Sequence, residues 1–286
     1  MRDRQNRLKI NLAKSAGFCF GVKRAIELAF KIASSGKKVC MLGDIVHNEK
    51  VAEQIRKAGV KKITKLSPAK GRILLIRAHG IGADVIRRAS GLGYKIIDAT
   101  CPMVREIHKI AVDMEKARRK IIVIGDKEHD EVRGIVGQLK AKPLVIDGVN
   151  NIPGSIKKIK RAGVVIQSTQ NMDEALKIMR KLKKTIPDLK FVNTVCRPTR
   201  IKQREIKIMP AQNDVMIIIG SKNSANTRRL YEIAKSLNRR SYWVNAKEEI
   251  KPEWLGGAKK VGVTAGASTP ASTIREIVEY LSSINA

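Results

Sequence analysis

Residues 96–111 read IIDATCPMVREIHKIA. A short apolar run ends in polar residues, a cysteine and a proline follow, and a helical pattern begins. Pro102 fits the first helical position, where its missing N–H costs nothing, so Cys101 falls at about the N-cap. The unpaired N–H groups and dipole of a helix head favour a thiolate over a thiol. Taken alone, Cys101 reads sooner as a buried structural cysteine, since free cysteines are among the most buried residues. The strand–loop–helix unit itself is what repeats along the chain.

Short apolar runs alternate with amphipathic helical patterns from end to end, which predicts an α/β fold of small parallel-sheet lobes. The expected strands are 38–42, 73–76, 95–98, 121–124, 144–146, 164–166, 215–219, 242–244 and 261–263. Six of them run into polar tails: GDIVHNE, RAHG, GDKEHDEVRG, QSTQN, GSKNSAN and TAGAST. Open α/β sheets bind ligands outside the carboxyl ends of their strands, so these tails predict a shared pocket. A loose repetition over thirds of the chain suggests three lobes, 20–100, 101–195 and 196–286, with 1–19 packing on the third. No Pro/Gly/Ser-rich linker separates them.

The chain has 286 residues and a formal charge of +32, from 58 Lys and Arg against 26 Asp and Glu. Such a charge raises nucleic-acid binding as a function. The cations are scattered over nearly every helix, aromatics make up only 3% of the chain, and no nucleic-acid motif is present, so that reading is disfavoured. A basic surface still draws anionic ligands and acidic proteins. Four cysteines in a chain of this length do not form a secreted disulfide framework, and a cytoplasmic location is expected. The start, MRDRQNRLKINLAKSAGF, lacks an apolar run of signal-peptide length, and no stretch approaches the roughly 18 apolar residues of a membrane span.

Two further cysteines repeat the placement of Cys101. Cys19 precedes a run with helical spacing (Val22, Ala25, Ile26, Ala29, Phe30, Ala33), and Cys196 stands two residues before Pro198 at another helix start. Cys40 lies inside an apolar strand and reads as core packing. The three helix-head cysteines are too far apart for a CxxC knuckle, so one lobe alone cannot hold a metal. Three thiolates at one centre leave a position open, which suits an iron–sulfur cluster with a free iron or a catalytic zinc; spacing does not choose between them. His47, His79 and His129 each follow an expected strand, which favours a pocket role, whereas His108 sits on the helix after Cys101 and reads either as structural or as a support behind the site residues. Ser224 with Asn226, and Ser268 with Thr269, open helices whose N–H groups favour anions. Together with Gln167, Ser168 and Thr169 they suit a small diphosphate; no GxxxxGK[ST] loop is present.

The stretches AGFCFGVKRAI, IVHN, RAHG, DATCPMV, HDEVRG, VIQST, GSKNSAN and VTAGAST, in this order from Ala16 to Thr269, resemble the 4-hydroxy-3-methylbut-2-enyl diphosphate reductase family of the non-mevalonate isoprenoid pathway. The resemblance implies three α/β lobes around one 4Fe-4S cluster held by Cys19, Cys101 and Cys196, with one iron open. It implies a two-electron reductive dehydroxylation yielding isopentenyl and dimethylallyl diphosphates. His47, His79, Ser224, Asn226 and Ser268 would then hold the diphosphate, Glu131 with His129 would deliver the proton, and Ser168 and Thr169 would supply pocket hydroxyls. An acidic electron carrier, a ferredoxin or flavodoxin, is the expected protein partner for so basic a surface. The chain departs from the family pattern at Ala225 (usually Ser), at Asp130 (usually Pro) and in RPTRIKQ after Cys196. Asp130 is expected to raise the pKa of its neighbour Glu131 by like-charge repulsion. The bland alternative for HDEVRG is a solvated loop with Glu131 paired to Arg133.

Overall fold

The computed structural model describes residues 8–284. Its first third contains β1 (Lys9–Leu12), α1 (Phe20–Ala33), β2 (Val39–Leu42), α2 (Glu49–Lys57), β3 (Val60–Ile63), β4 (Ile73–Ile76), α3 (Ala83–Gly91) and β5 (Lys95–Asp98). Then come α4 (Pro102–Lys116), β6 (Lys120–Ile124), α5 (Asp130–Val136), β7 (Leu144–Ile146), β8 (Arg161–Ile166), α6 (Met172–Thr185) and β9 (Asp188–Phe191). The last third holds α7 (Arg197–Gln212), β10 (Val215–Ile219), α8 (Ala225–Leu237), β11 (Ser241–Val244), β12 (Lys260–Ala265) and α9 (Ala271–Ser283).

These strands form three four-stranded sheets, ordered β3-β2-β4-β5, β7-β6-β8-β9 and β1-β12-β10-β11, and every pairing is parallel. Inner strands such as β4 (ILLI) and β10 (VMIII) are buried along their whole length, as expected of strands covered on both faces. All nine expected strands are present. Three more, β1 (KINL), β3 (VKKI) and β9 (DLKF), escape the sequence reading, and each lies at a sheet edge. Their lysines, asparagine and aspartate interrupt any apolar run. What makes them strands is the backbone ladder offered by a buried neighbour.

The chain divides into two compact units. One contains the residues up to Phe20, His47–Val51 and Arg197 onward, and so carries the third sheet; the other spans Gly21–Val46 and Ala52–Cys196 and carries the first two. Of the 1–19 segment, residues 1–7 lie outside the described residues, while β1 pairs in register with β12, Lys9 opposite Lys260 through Leu12 opposite Val263.

Within the larger unit, α4 leaves the first sheet at Asp98 and covers the second. Its buried face, Ile107, Ala111 and Met114, packs on Ile121, Val123 and Val165. The loops of the two sheets meet where the Ala83 N–H donates to the Gly137 carbonyl at 2.9 Å. Only glycine fits there, because a Cβ on Gly137 would lie 2.6 Å from the Cα of Gly82. Among the described residues no helix is long and apolar enough to cross a membrane.

Candidate active site

Each of the three helix-head cysteines immediately precedes a helix: Cys19 before α1, Cys101 at the N-cap of α4, Cys196 before α7. Their backbones are held in one common way. Cys19 N–H donates to Ala267 O (3.2 Å), Cys101 N–H to Ala78 O (3.0 Å) and Cys196 N–H to Ser168 O (3.1 Å). Every acceptor belongs to a polar tail at the carboxyl end of an inner strand, namely β12, β4 and β8. None of the three is in a disulfide, all are half-buried, and the Cys101 side chain makes no capping bond. Gly21, in the first turn of α1, leaves room for that thiol, since a Cβ there would stand 2.4 Å from Cys101 Sγ. Cys40 differs in kind. It is buried in β2, donates to Ile73 O at 3.4 Å, and burial pushes its thiol pKa up.

The larger unit brings Glu131, Ser168, His129 and His79 together. Glu131 is 1% exposed at the head of α5, and its two carboxylate oxygens accept from Ser168 N–H (2.6 Å) and Ser168 Oγ–H (2.7 Å). Burial raises its pKa against the pull of those two bonds. His129 is the N-cap of α5, its Nδ1 accepting the Glu131 N–H at 3.1 Å, and its ring meets that of His79 edge-on at 5.5 Å. Thr169 Oγ1 accepts from Gln167 Nε2 (3.0 Å) in the same tail.

Two expectations about this loop change. Arg133 pairs with Glu128, so Glu131 is no surface partner of Arg133. Asp130 is held by Arg77 at 2.5 Å, with both side chains largely buried, so its charge is compensated; burial, not repulsion from Asp130, is what raises Glu131. Nothing in the sequence pattern pointed to Arg77 as that partner.

The smaller unit gathers the proposed anion-binding residues. At the carboxyl ends of the adjacent strands β10 and β12, two helix heads converge: Gly220 and Gly266 both lie against Thr227 and Thr269, and Thr269 Oγ–H donates to Ile219 O (3.1 Å). Ser224 caps α8 by accepting the Thr227 N–H (3.3 Å), and the buried Asn226 amide nitrogen has no hydrogen-bond partner. Ser268 Oγ–H donates to His47 O at 3.1 Å. The segment after His47 is tied in by Glu49, which accepts from Ser221 Oγ (2.7 Å) and Asn223 Nδ2 (3.0 Å). Ala225 adds no hydroxyl to this group.

The sequence also gave no role to Lys202, which is buried on α7. Its Nζ donates to the carbonyls of Gly17 and Ala265, each at 3.1 Å, and to that of Ser15, clasping the segment that leads to Cys19. Burial brings its pKa down to about 8, against the opposing pull of Cys19 and Glu205.

His108 takes the structural one of its two expected places. It lies over Gly80 and Gly134, where added Cβ atoms would stand 2.9 and 3.5 Å from its ring, and so props the turn after His79. Burial lowers its pKa to about 4, with Asp98 opposing. Because the unfolded chain takes up this proton near pH 6.5, His108 costs stability as pH falls from 6.5 towards 4, by up to roughly 3 kcal/mol. In urea titrations, the stability difference between wild type and His108→Asn should therefore shift against wild type on acidification from pH 7 to pH 4.5. A difference that does not move with pH would show that the folded state does not hold this imidazole neutral.

Comparison with known proteins places this geometry. Residues 10–282 match the family described as LytB protein. A 4-hydroxy-3-methylbut-2-enyl diphosphate reductase of Geotalea uraniireducens (strain Rf4) is 37% identical over 278 residues, covering 97% of this chain and 98% of the relative. Among solved structures, an (E)-4-hydroxy-3-methyl-but-2-enyl diphosphate reductase, described as the terminal enzyme of the non-mevalonate pathway, is 37% identical, with a TM-score of 0.71 over 97% of this chain and all of that one. The E-1-hydroxy-2-methyl-but-2-enyl-4-diphosphate reductase from Plasmodium falciparum aligns with a TM-score of 0.88 at 28% identity, over 96% and 87% of the two chains. The match spans all three sheets and every cysteine-bearing helix head, so the chain belongs to the LytB protein family.

Proposed function

We propose that this chain is an oxidoreductase that converts 4-hydroxy-3-methylbut-2-enyl diphosphate to isopentenyl and dimethylallyl diphosphates. The reaction takes up two electrons and two protons, breaks the allylic C–O bond and releases water. The observation that carries the reading is the repeated anchoring of Cys19, Cys101 and Cys196 to the strand tails that bear the polar residues.

Three cysteines at helix heads and outside any disulfide, one of them given space by Gly21, fit a metal centre that needs thiolates. When bound, a 4Fe-4S cluster on Cys19, Cys101 and Cys196 supplies single-electron transfer and one iron open to the substrate oxygen. The remaining work falls to the protein. The heads of α8 and α9, with Ser224, Asn226, Ser268 and His47, bind the diphosphate through N–H groups, hydroxyls and the Asn226 amide. His79 is a further diphosphate ligand in this reading. Glu131, whose acid form burial favours, gives its proton to the departing hydroxyl, and His129 orients both Glu131 and the substrate. Ser168 fixes the carboxyl and Thr169 lines the same tail. Electrons come from an acidic carrier of the ferredoxin or flavodoxin class, and four cysteines outside any disulfide suit a reducing cytoplasm.

Anaerobic purification with iron and acid-labile sulfide assays, followed by turnover with a reduced viologen dye, tests the proposal. Brown protein that releases both alkenyl diphosphates is the expected result. Colourless zinc protein that instead hydrolyses phosphate esters would overturn it.

A further inference from the structure

The outward face of α7 combines exposed cations with large exposed apolar side chains. Arg197, Arg200, Ile201, Arg204 and Ile208 are all exposed and recur at helical spacing, so they form one stripe about 17 Å long. Ile201 is 43% and Ile208 58% exposed, which is unusual for large aliphatic side chains in a chain this well packed. The helix carries a single carboxylate, Glu205, and it is turned away from the stripe to accept from Lys14 N–H (2.6 Å) and Ser15 N–H (3.0 Å). Arg197, Arg200 and Arg204 have no carboxylate partner among the described residues. On α2 Arg56 pairs with Glu53 and on α6 Lys177 pairs with Glu174, whereas the α7 stripe holds no such carboxylate.

The stripe also starts next to the proposed redox centre. Cys196 is the residue before α7, and Lys202, one position from Ile201, clasps the carbonyls of Ser15 and Gly17. The segment carrying Cys19 therefore lies along the first turns of the same helix. On it, Phe18 and Phe20 are 37% and 63% exposed. Apolar side chains set among uncompensated guanidinium groups match the small, transient interfaces of redox proteins, in which charge steers and a few apolar contacts hold.

We propose that the outward face of α7 is the docking surface for a small acidic electron-carrier protein. The inference rests on the reductase reading above. Each docking event oxidises one reduced carrier by one electron, and two events supply the pair that one C–O cleavage consumes, the two protons coming from Glu131 and solvent. An acidic protein fits better than a nucleic acid, because the α7 stripe itself carries no aromatic ring for bases to stack on, the two phenylalanines lying beside it on another segment.

The experiment compares reduced ferredoxin or flavodoxin with a reduced viologen dye, which needs no docking. The double variant Arg200→Glu/Arg204→Glu and its neutral counterpart Arg200→Gln/Arg204→Gln are set against Lys157→Glu/Lys158→Glu, an equal charge change on an exposed turn of the other unit. At low ionic strength the α7 reversal should raise KM for the carrier about 10-fold or more and flatten its salt dependence. The neutral pair should fall between, while dye-driven turnover and iron content stay at wild-type values. Equal loss in the Lys157/Lys158 variant would assign the effect to net charge and overturn the proposal. Unchanged carrier kinetics in the α7 variants would overturn it too, as would duplex DNA binding that only the α7 variants lose. A wild-type protein without dye-driven turnover would instead defeat the reductase reading, and the docking proposal with it.

Discussion

Glu131→Gln should lower turnover by about 10²-fold or more while leaving bound iron unchanged, because it keeps the shape of the side chain and removes the proton. The carboxyl is completely enclosed, and Ser168 fixes both of its oxygens. An allylic C–O bond releases hydroxide reluctantly, and a positioned acid turns the leaving group into water. Burial raises the Glu131 pKa, so the acid form persists above the usual carboxylate range and is lost as pH rises through the raised value. Wild-type turnover should accordingly decline on the alkaline side, and the Gln variant should lack that limb. Asp130→Asn gives the contrast. It leaves Arg77 charged and without its carboxylate, so it should cost stability, about 1–3 kcal/mol, while turnover stays within roughly threefold of wild type. Near-normal turnover in the Gln variant would move the proton source to solvent, to a histidine or to the substrate diphosphate.

Serine at Cys19, Cys101 or Cys196 should leave reconstituted protein with less than about a tenth of wild-type iron and sulfide, and no measurable reductase activity. A hydroxyl in each place keeps the backbone bonds to Ala267, Ala78 and Ser168, so the fold itself should survive, as far-UV circular dichroism would report. Cys40→Ser should keep its iron. Its thiol donates to Ile73 O inside β2, a bond that a hydroxyl can make, and the expected cost is about 1 kcal/mol of stability. Equal iron loss in the Cys40 variant would refute the assignment of three ligands.

Those cysteines were readable in the sequence because a proline and helical spacing mark where a helix begins. Strands were readable wherever burial on both faces demanded an unbroken apolar run, as in β4, β8 and β10. The edge strands β1, β3 and β9 were not, since one neighbour's ladder suffices to hold them and their side chains are free to be charged. In the site, the residues of GSKNSAN and TAGAST declared themselves as helix heads. The cause of the Glu131 shift did not. Asp130 stands beside it in sequence and looked like the perturbing charge, whereas Arg77, far away in the chain, compensates Asp130. His129 as an N-cap was equally hidden, because Ser, Thr, Asp and Asn are the usual capping residues and an imidazole carries no such signal.

The pairing of β1 with β12 sets an order of events during synthesis. Some 250 residues separate the two strands, and at the usual pace of a ribosome β1 waits roughly 10 to 50 s for its partner. Ala78 and Ser168, which anchor Cys101 and Cys196, have already been made when those two cysteines emerge. Cys19 emerges first of the three, yet its anchor, Ala267, is made about 250 residues later. The first of these three cysteines to be translated is thus the last to be fixed in place, and a cofactor that requires all three can be installed only once Ala267 has been made.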